Sequence, residues 1–262
     1  MKILSVPYYI GRFMDGLEVP SPHAIMTPDL PGDSLTYDTS RATAPGGQAQ
    51  LRMAVLYSHL ASHIASSGPT LLYSGDCLSV IGVLAGLQAM GSDPTLYWFD
   101  AHGDFHTWQT TPSNFLGGMP LAMITGRGEQ TIVEATGMRP LADDKVVLVG
   151  ARDLDDGEDA AVASSGMVVA SVDEVANAIP PPGPIYVHVD VDVVDPSELP
   201  AVNYPAPGGP PAESVRAAVT RLAATGRVVA ASVSSWNPQL PRAGKAAALT
   251  RSIMDIFIDG DA

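Results

Sequence analysis

The amino-acid sequence predicts an α/β protein: a mostly parallel sheet with helices packed on both faces. Two observations carry that reading. Short β-rich apolar runs alternate with longer stretches of helical character, the pattern of repeated strand–helix–strand units. In addition, 46% of the 262 residues are hydrophobic and only 16% charged, enough to fill a large core and unlike a disordered chain.

Each element has a local reason. Residues 3–9 (ILSVPYY) form an apolar opening run, and residues 48–66, free of proline and glycine, read as a long helix. The strand run TLLYS at 70–74 is followed by a helix over 78–90. The aromatic run TLYWFD occupies 95–100, and valine-rich strands follow at 145–150, 167–171, 185–192 and 227–233. Helix-like stretches at 156–165, 211–224 and 244–259 separate or follow these runs. PPPGP at 180–184 and PAPGGPP at 205–211 are stiff loops. No linker is long enough to divide the chain, so one domain over residues 1–262 is expected.

Charge narrows the function classes. With 14 basic against 28 acidic residues the formal net charge is −14, which disfavours nucleic acid and anionic membrane surfaces as partners. The single cysteine, Cys77, rules out an internal disulfide and a cysteine-built structural zinc site. No apolar run approaches the roughly 18 residues of a membrane span. The first residues lack the pattern of a signal peptide. A cytoplasmic globular protein is expected.

In parallel sheets, ligands bind beyond the carboxyl ends of the strands. Three groups of reactive residues fall there. Asp100, His102 and Asp104 follow the 95–100 run and share one side of the chain if it stays extended. Two carboxylates and an imidazole form a costly group unless a cation sits among them. His188, Asp190 and Asp192 repeat the alternation at the end of the 185–192 run; a buried acidic pair there points to metal, the alternative being carboxylates that cap nearby helices. Such ligands suit Mn²⁺, Mg²⁺ or Zn²⁺, and they outnumber the needs of one ion, so two ions sharing a water are expected. The third group is Ser74-Gly75-Asp76-Cys77, whose thiol is either activated at a helix start or an inert small apolar group.

These groups, in this order, resemble the ureohydrolase family of arginases, agmatinases and related amidinohydrolases. The resemblance spans residues 70–256 and rests on WFDAHGDFHT (98–107), LGGMPLA (116–122), GARDLDDGE (150–158), VHVDVDVVDP (187–196) and SWNPQL (235–240). It implies a three-layer α/β/α fold on an eight-stranded parallel sheet, two Mn²⁺ ions, hydrolysis of a small guanidino compound, and a homo-oligomer, trimeric or hexameric. Cys77, Asp100, Asp104 and Asp190 would surround the more buried ion; Asp100, His102, Asp190 and Asp192 would surround the other. The resemblance places Asp155 where the arginase branch anchors a substrate α-amino group, and Ser113 where it helps hold the α-carboxylate, which implies an amino-acid-like substrate. Asp104, Cys77 and His106 are the expected catalytic side chains, with Ser235 beside the guanidino group; for His106 the alternatives are holding a substrate carboxylate or a hydrogen-bonded loop position.

Four positions depart from the family pattern. Cys77 stands where most members have a metal-ligating His, Gly117 where arginases carry a proton-shuttling His, Ser235 where a Glu contacts the guanidinium, and His106 where arginases have an Asn. A thiolate is softer than imidazole and favours softer metals. Loss of a shuttle removes a general acid typically worth about 10²–10⁴-fold. These changes suit a less basic N-hydroxyguanidine, and they resemble a branch that converts Nω-hydroxyarginine to hydroxyurea and ornithine, although that branch keeps the Glu. Three readings stand on the sequence: a dinuclear-metal amidinohydrolase, a Cys77-dependent guanidino hydrolase without metal, and a metal-binding relative acting as a binding or assembly protein.

Overall fold

The computed structural model describes residues 1–13, 24–25 and 47–259. The expectation of one domain over 1–262 includes residues 14–23, 26–46 and 260–262, which lie outside the described residues. The strands are β1 (Lys2–Val6), β2 (Tyr8–Tyr9), β3 (Arg12–Phe13), β4 (Ala24–Ile25), β5 (Thr70–Ser74), β6 (Thr95–Phe99), β7 (Val146–Val149), β8 (Val168–Ala170), β9 (Ile185–Asp190) and β10 (Val228–Ser234). The helices are α1 (Gln48–Ser67), α2 (Ser79–Ala89), α3 (Pro120–Ile124), α4 (Thr131–Thr136), α5 (Glu158–Ser164), α6 (Val172–Asn177), α7 (Ala212–Ala223), α8 (Ala243–Met254) and α9 (Ile256–Asp259).

Eight strands form one sheet in the order β4-β1-β5-β10-β9-β6-β7-β8, and every pairing in it is parallel. Strand alternation sorts the side chains into two cores. Leu72, Leu96, Trp98 and Leu148 pack with Met53, Leu56, Leu60 and Ile64 of α1 and with α2. Leu71, Tyr97, Phe99, Val147 and Val187 pack on the other face with α6, α7 and α8. Both faces being covered explains why these strands read as continuous apolar runs. Complete burial of one Val, Leu or Phe contributes roughly 1.5–3 kcal/mol, so two such cores fix the strand ends that carry the reactive residues.

The boundaries differ from expectation where polar or special residues intervene. The 3–9 run divides into β1 and β2 around Pro7, which has no N–H for a ladder. The 185–192 run stops at Asp190 and continues as a 3₁₀ turn over Val191–Val193. The 244–259 stretch is two helices separated at Asp255. Short α3, α4 and α6 lie outside the helices expected from sequence.

Candidate metal centre

Four strands adjacent in the sheet, β5, β10, β9 and β6, point their carboxyl ends at one spot. Asp100 follows β6 directly, Asp190 is the last residue of β9, Ser235 follows β10, and Cys77 lies just beyond β5. Asp100 is 1% exposed, and its carboxylate accepts from Trp98 Nε1 at 3.0 Å and from the His102 backbone N–H at 2.7 Å. Asp190 accepts from the Cys77 thiol at 2.9 Å, from the Ser235 hydroxyl, and from the Asp192 backbone N–H at 3.0 Å. His102 Nδ1 stands 3.3 Å from both Asp100 Oδ1 and Asp192 Oδ2.

Two compact ligand groups result, Cys77–Asp100–Asp190 and Asp100–His102–Asp192, with the donor atoms of each within 4.8 Å of one another. Asp100 belongs to both. The extended alternation expected for 100, 102 and 104 is corrected here: the strand ends at Phe99 and the chain turns, with Asp104 at φ 50°. The Asp104 carbonyl accepts from the Leu121 and Ala122 N–H groups at the start of α3, which ties down this left-handed backbone. The Asp104 carboxylate stands outside both compact groups, yet it feels the charges of Asp100 and Asp190.

The electrostatics test whether this set fits a cation. Burial, then the charges of Asp100 and Asp190, holds Asp104 well above the usual carboxylate range. Burial with Asp192 and Asp100 does the same to Asp190, and burial with Asp100 raises Asp192. Burial lowers His102, but its hydrogen bonds to Asp100 and Asp192 outweigh that and push it up to about 12. Among the described residues no lysine or arginine lines the cavity. Four buried carboxylates without a lysine or arginine among them are the donor set of a divalent-cation site, and they fit such ions. The Cys77 thiol is driven well up by burial and then by Asp190, Asp104 and Asp100, which counts against a free thiolate nucleophile.

The other expected residues surround this floor. His102, Asp104, Cys77, Asp190, Asp192, His106, Ser113, Asp155 and Ser235 all line one cavity of about 720 Å³, with Asp100 beneath it. His106 is buried in the wall; its Nε2 lies 3.1 Å from Asp155 Oδ2 and 3.6 Å from Glu158 Oε2, and its Nδ1 lies 3.2 Å from Thr110 Oγ1. The carboxylate expected to await an α-amino group is thus already met by an imidazole. Ser113 sits exposed on the rim, where its hydroxyl accepts from the Phe115 N–H at 3.2 Å.

Two cavity residues had no role assigned from sequence. Glu158 is buried and accepts from the Phe105 and Asp155 N–H groups, tying the 100–106 turn to the 150–158 segment. Asp76 is buried and accepts from the Ile10 N–H at 2.6 Å, Tyr57 OH at 2.8 Å and the Leu78 N–H at 3.0 Å. Burial, partly offset by those bonds, pushes Asp76 up to about 6. Both residues lie within blocks that the sequence singles out, but only three-dimensional contacts reveal what they hold.

Comparison with known proteins now decides the family. Residues 31–258 match the model of the arginase family. The chain belongs to the arginase family. It is 31% identical over 188 residues to the arginase of Bacillus subtilis, covering 67% of this chain and 64% of that one. It is 30% identical over 175 residues to the N(omega)-hydroxy-L-arginine amidinohydrolase of Streptomyces lavendulae, covering 65% and 62%. These two matches span a little under two thirds of the relatives' length. In fold, the chain superposes on the arginase of Entamoeba histolytica with a TM-score of 0.81 at 20% identity, over 98% of each chain. The ureohydrolase resemblance and the α/β class are both borne out.

Proposed function

We propose that this arginase-family chain is a dinuclear-metal hydrolase that cleaves the C–N bond of a guanidino group, with the N-hydroxyguanidino form favoured. The observation that carries the reading is the buried Asp100, shared between two ligand groups at the ends of the central strands. Cys77, Asp100, Asp104 and Asp190 would hold one ion, and Asp100, His102, Asp190 and Asp192 the other. When bound, a pair of Mn²⁺ or similar ions supplies Lewis acidity and water activation at neutral pH.

The chain's own residues do the rest. Asp104, set by its turn to line the cavity, orients the attacking water and takes its proton. Water adds to the guanidino carbon, the C–N bond to the tail breaks, and the departing nitrogen gains a proton to leave as an amine beside a urea-type product. His106, held against Asp155, is the wall imidazole suited to that proton delivery. Ser235 presents a hydroxyl, already donated to Asp190, and no counter-charge for a guanidinium, which favours the less basic N-hydroxyguanidine. The Streptomyces lavendulae relative, named for hydroxyarginine, supports the same choice. An amino-acid tail would need to displace His106 from Asp155. The reading extends to a single domain over 1–262 acting as a cytoplasmic homo-oligomer, independent of nucleic acid and membranes; no described helix is long and apolar enough to cross a membrane.

A substrate panel tests it: arginine, hydroxyarginine, agmatine and guanidino acids with Mn²⁺-loaded protein, followed by urea or hydroxyurea release. Hydroxyarginine is expected to outpace arginine in kcat/KM. If none of these compounds, nor an N-hydroxyguanidine with an uncharged tail, turns over at millimolar concentration with metal bound, the hydrolase reading fails.

A further inference from the structure

Part of the cavity wall is aromatic. Phe115 and Tyr204 lie with ring centroids 5.3 Å apart and planes inclined at 43°. Tyr9 lines the same cavity. The three rings come from distant parts of the sequence: β2, the 100–119 segment and the 194–211 segment. Phe115 is half-buried, and Tyr204 is 51% exposed at the cavity.

Gly117 explains how the Phe115 ring reaches its place. A Cβ at position 117 would lie 2.2 Å from Phe115 Cε1 and 2.5 Å from Cζ, so the ring occupies the space of any side chain there. The absence of a side chain at 117 therefore does more than remove a functional group. It lets an aromatic face form part of the wall.

Among the described residues the remaining wall offers a carboxylate tail only neutral polar groups, those of Thr111, Ser113 and Asn203. Among the described residues no lysine or arginine lines the cavity to take a carboxylate, and the exposed carboxylates Asp153 and Asp155 would repel one. Asp155, the natural anchor for an ammonium, is engaged by His106. The exposed π surface beside them gains from stacking against a second ring.

We propose that the cavity selects guanidino compounds whose tail is uncharged and aromatic, and that Phe115, seated over Gly117 and against Tyr204, is the specificity-determining residue. This rests on the guanidino reading above and assigns the tail that reading leaves open. Benzylguanidine and butylguanidine are suitable probes, since both carry the guanidine on a CH₂ and both leave as primary amines.

The test measures their binding to the Mn²⁺-loaded full chain by calorimetry, alongside urea release. The wild-type protein is expected to bind benzylguanidine roughly 3- to 10-fold more tightly, the range of one aromatic pair. Phe115→Ala should bring that ratio to about 1 with metal content unchanged. Tyr204→Leu, at an exposed position, should lower it in a protein that still folds if Phe115→Ala does not. Equal binding of the two probes by wild type, or a ratio that neither variant alters, overturns the proposal. Aromatic preference in binding would uphold this inference even without urea release, and if the N-hydroxy form of benzylguanidine also releases no hydroxyurea, the result would count instead against the hydrolase reading.

Discussion

The floor and the wall of the cavity are built on different physics. On the floor, Cys77, Asp100, His102, Asp190 and Asp192 form two groups that share Asp100, with the donor atoms of each group within 4.8 Å, and each residue lies at a strand end or in a tight turn. Their charges conflict unless cations are present, so no member is independent of the rest. On the wall, His106–Asp155, Ser113 and the Phe115–Tyr204 rings make separate contacts on segments outside the sheet. The floor is thus a cooperative unit whose failure is a loss of metal. The wall is a set of local choices whose changes alter selection and rate.

The strongest way to break this contrast is Asp100→Ala. Removing the residue common to both ligand groups is expected to reduce metal content to below one equivalent and turnover to background, read by elemental analysis and product release. Retention of two equivalents would mean that Asp100 is not shared. Next comes Cys77→His, which should keep or tighten Mn²⁺ binding and move activity toward plain guanidines. Complete inactivity at unchanged metal content would instead give the thiol a chemical role.

Wall substitutions should behave differently. His106→Ala is expected to leave metal content unchanged while lowering kcat roughly 10²- to 10⁴-fold, the scale of a lost general acid. A fall in bound metal would dissolve the distinction between floor and wall. The smallest effect lies outside both regions. Arg127 holds Asp143 in a two-pronged ion pair, 2.7 Å at each contact, which sets the Asp143 carboxyl below its usual range. A depressed folded-state value stabilises above the ordinary aspartate range, and that contribution disappears as pH falls through the folded value. Asp143→Asn should therefore flatten the acid side of a Tm–pH profile only slightly, by about 1 kcal/mol or less at this partly exposed pair, without touching metal content.

The same contrast governs how much of the site was legible in the sequence. Floor residues stood out because apolar strand runs such as 95–99 and 185–189 announce their own ends, and carboxylates gathered at buried strand ends are costly unless a cation meets them. The detail of their convergence was not legible: Asp104 reaches the cavity through a left-handed turn, and Asp192 through a 3₁₀ turn, where alternation had suggested extended chain. The wall was harder. The meeting of His106 with Asp155 joins residues 49 positions apart, and Phe115 with Tyr204 joins two irregular segments that carry no periodicity. Helix α6 could have been found from its S-x-x-E capping box, Ser171 and Glu174, whose reciprocal bonds the structure shows. The buried role of Glu158 has no comparable local signal, because tertiary contacts create it.

The central claim is that the floor holds two ions on one shared carboxylate, and metal stoichiometry tests it most directly. Protein purified without chelator and supplied with Mn²⁺ should contain close to two equivalents per chain, and EDTA should remove both the metal and the hydrolysis of the guanidino substrate. Absence of bound metal, together with activity that persists in EDTA, would contradict the account.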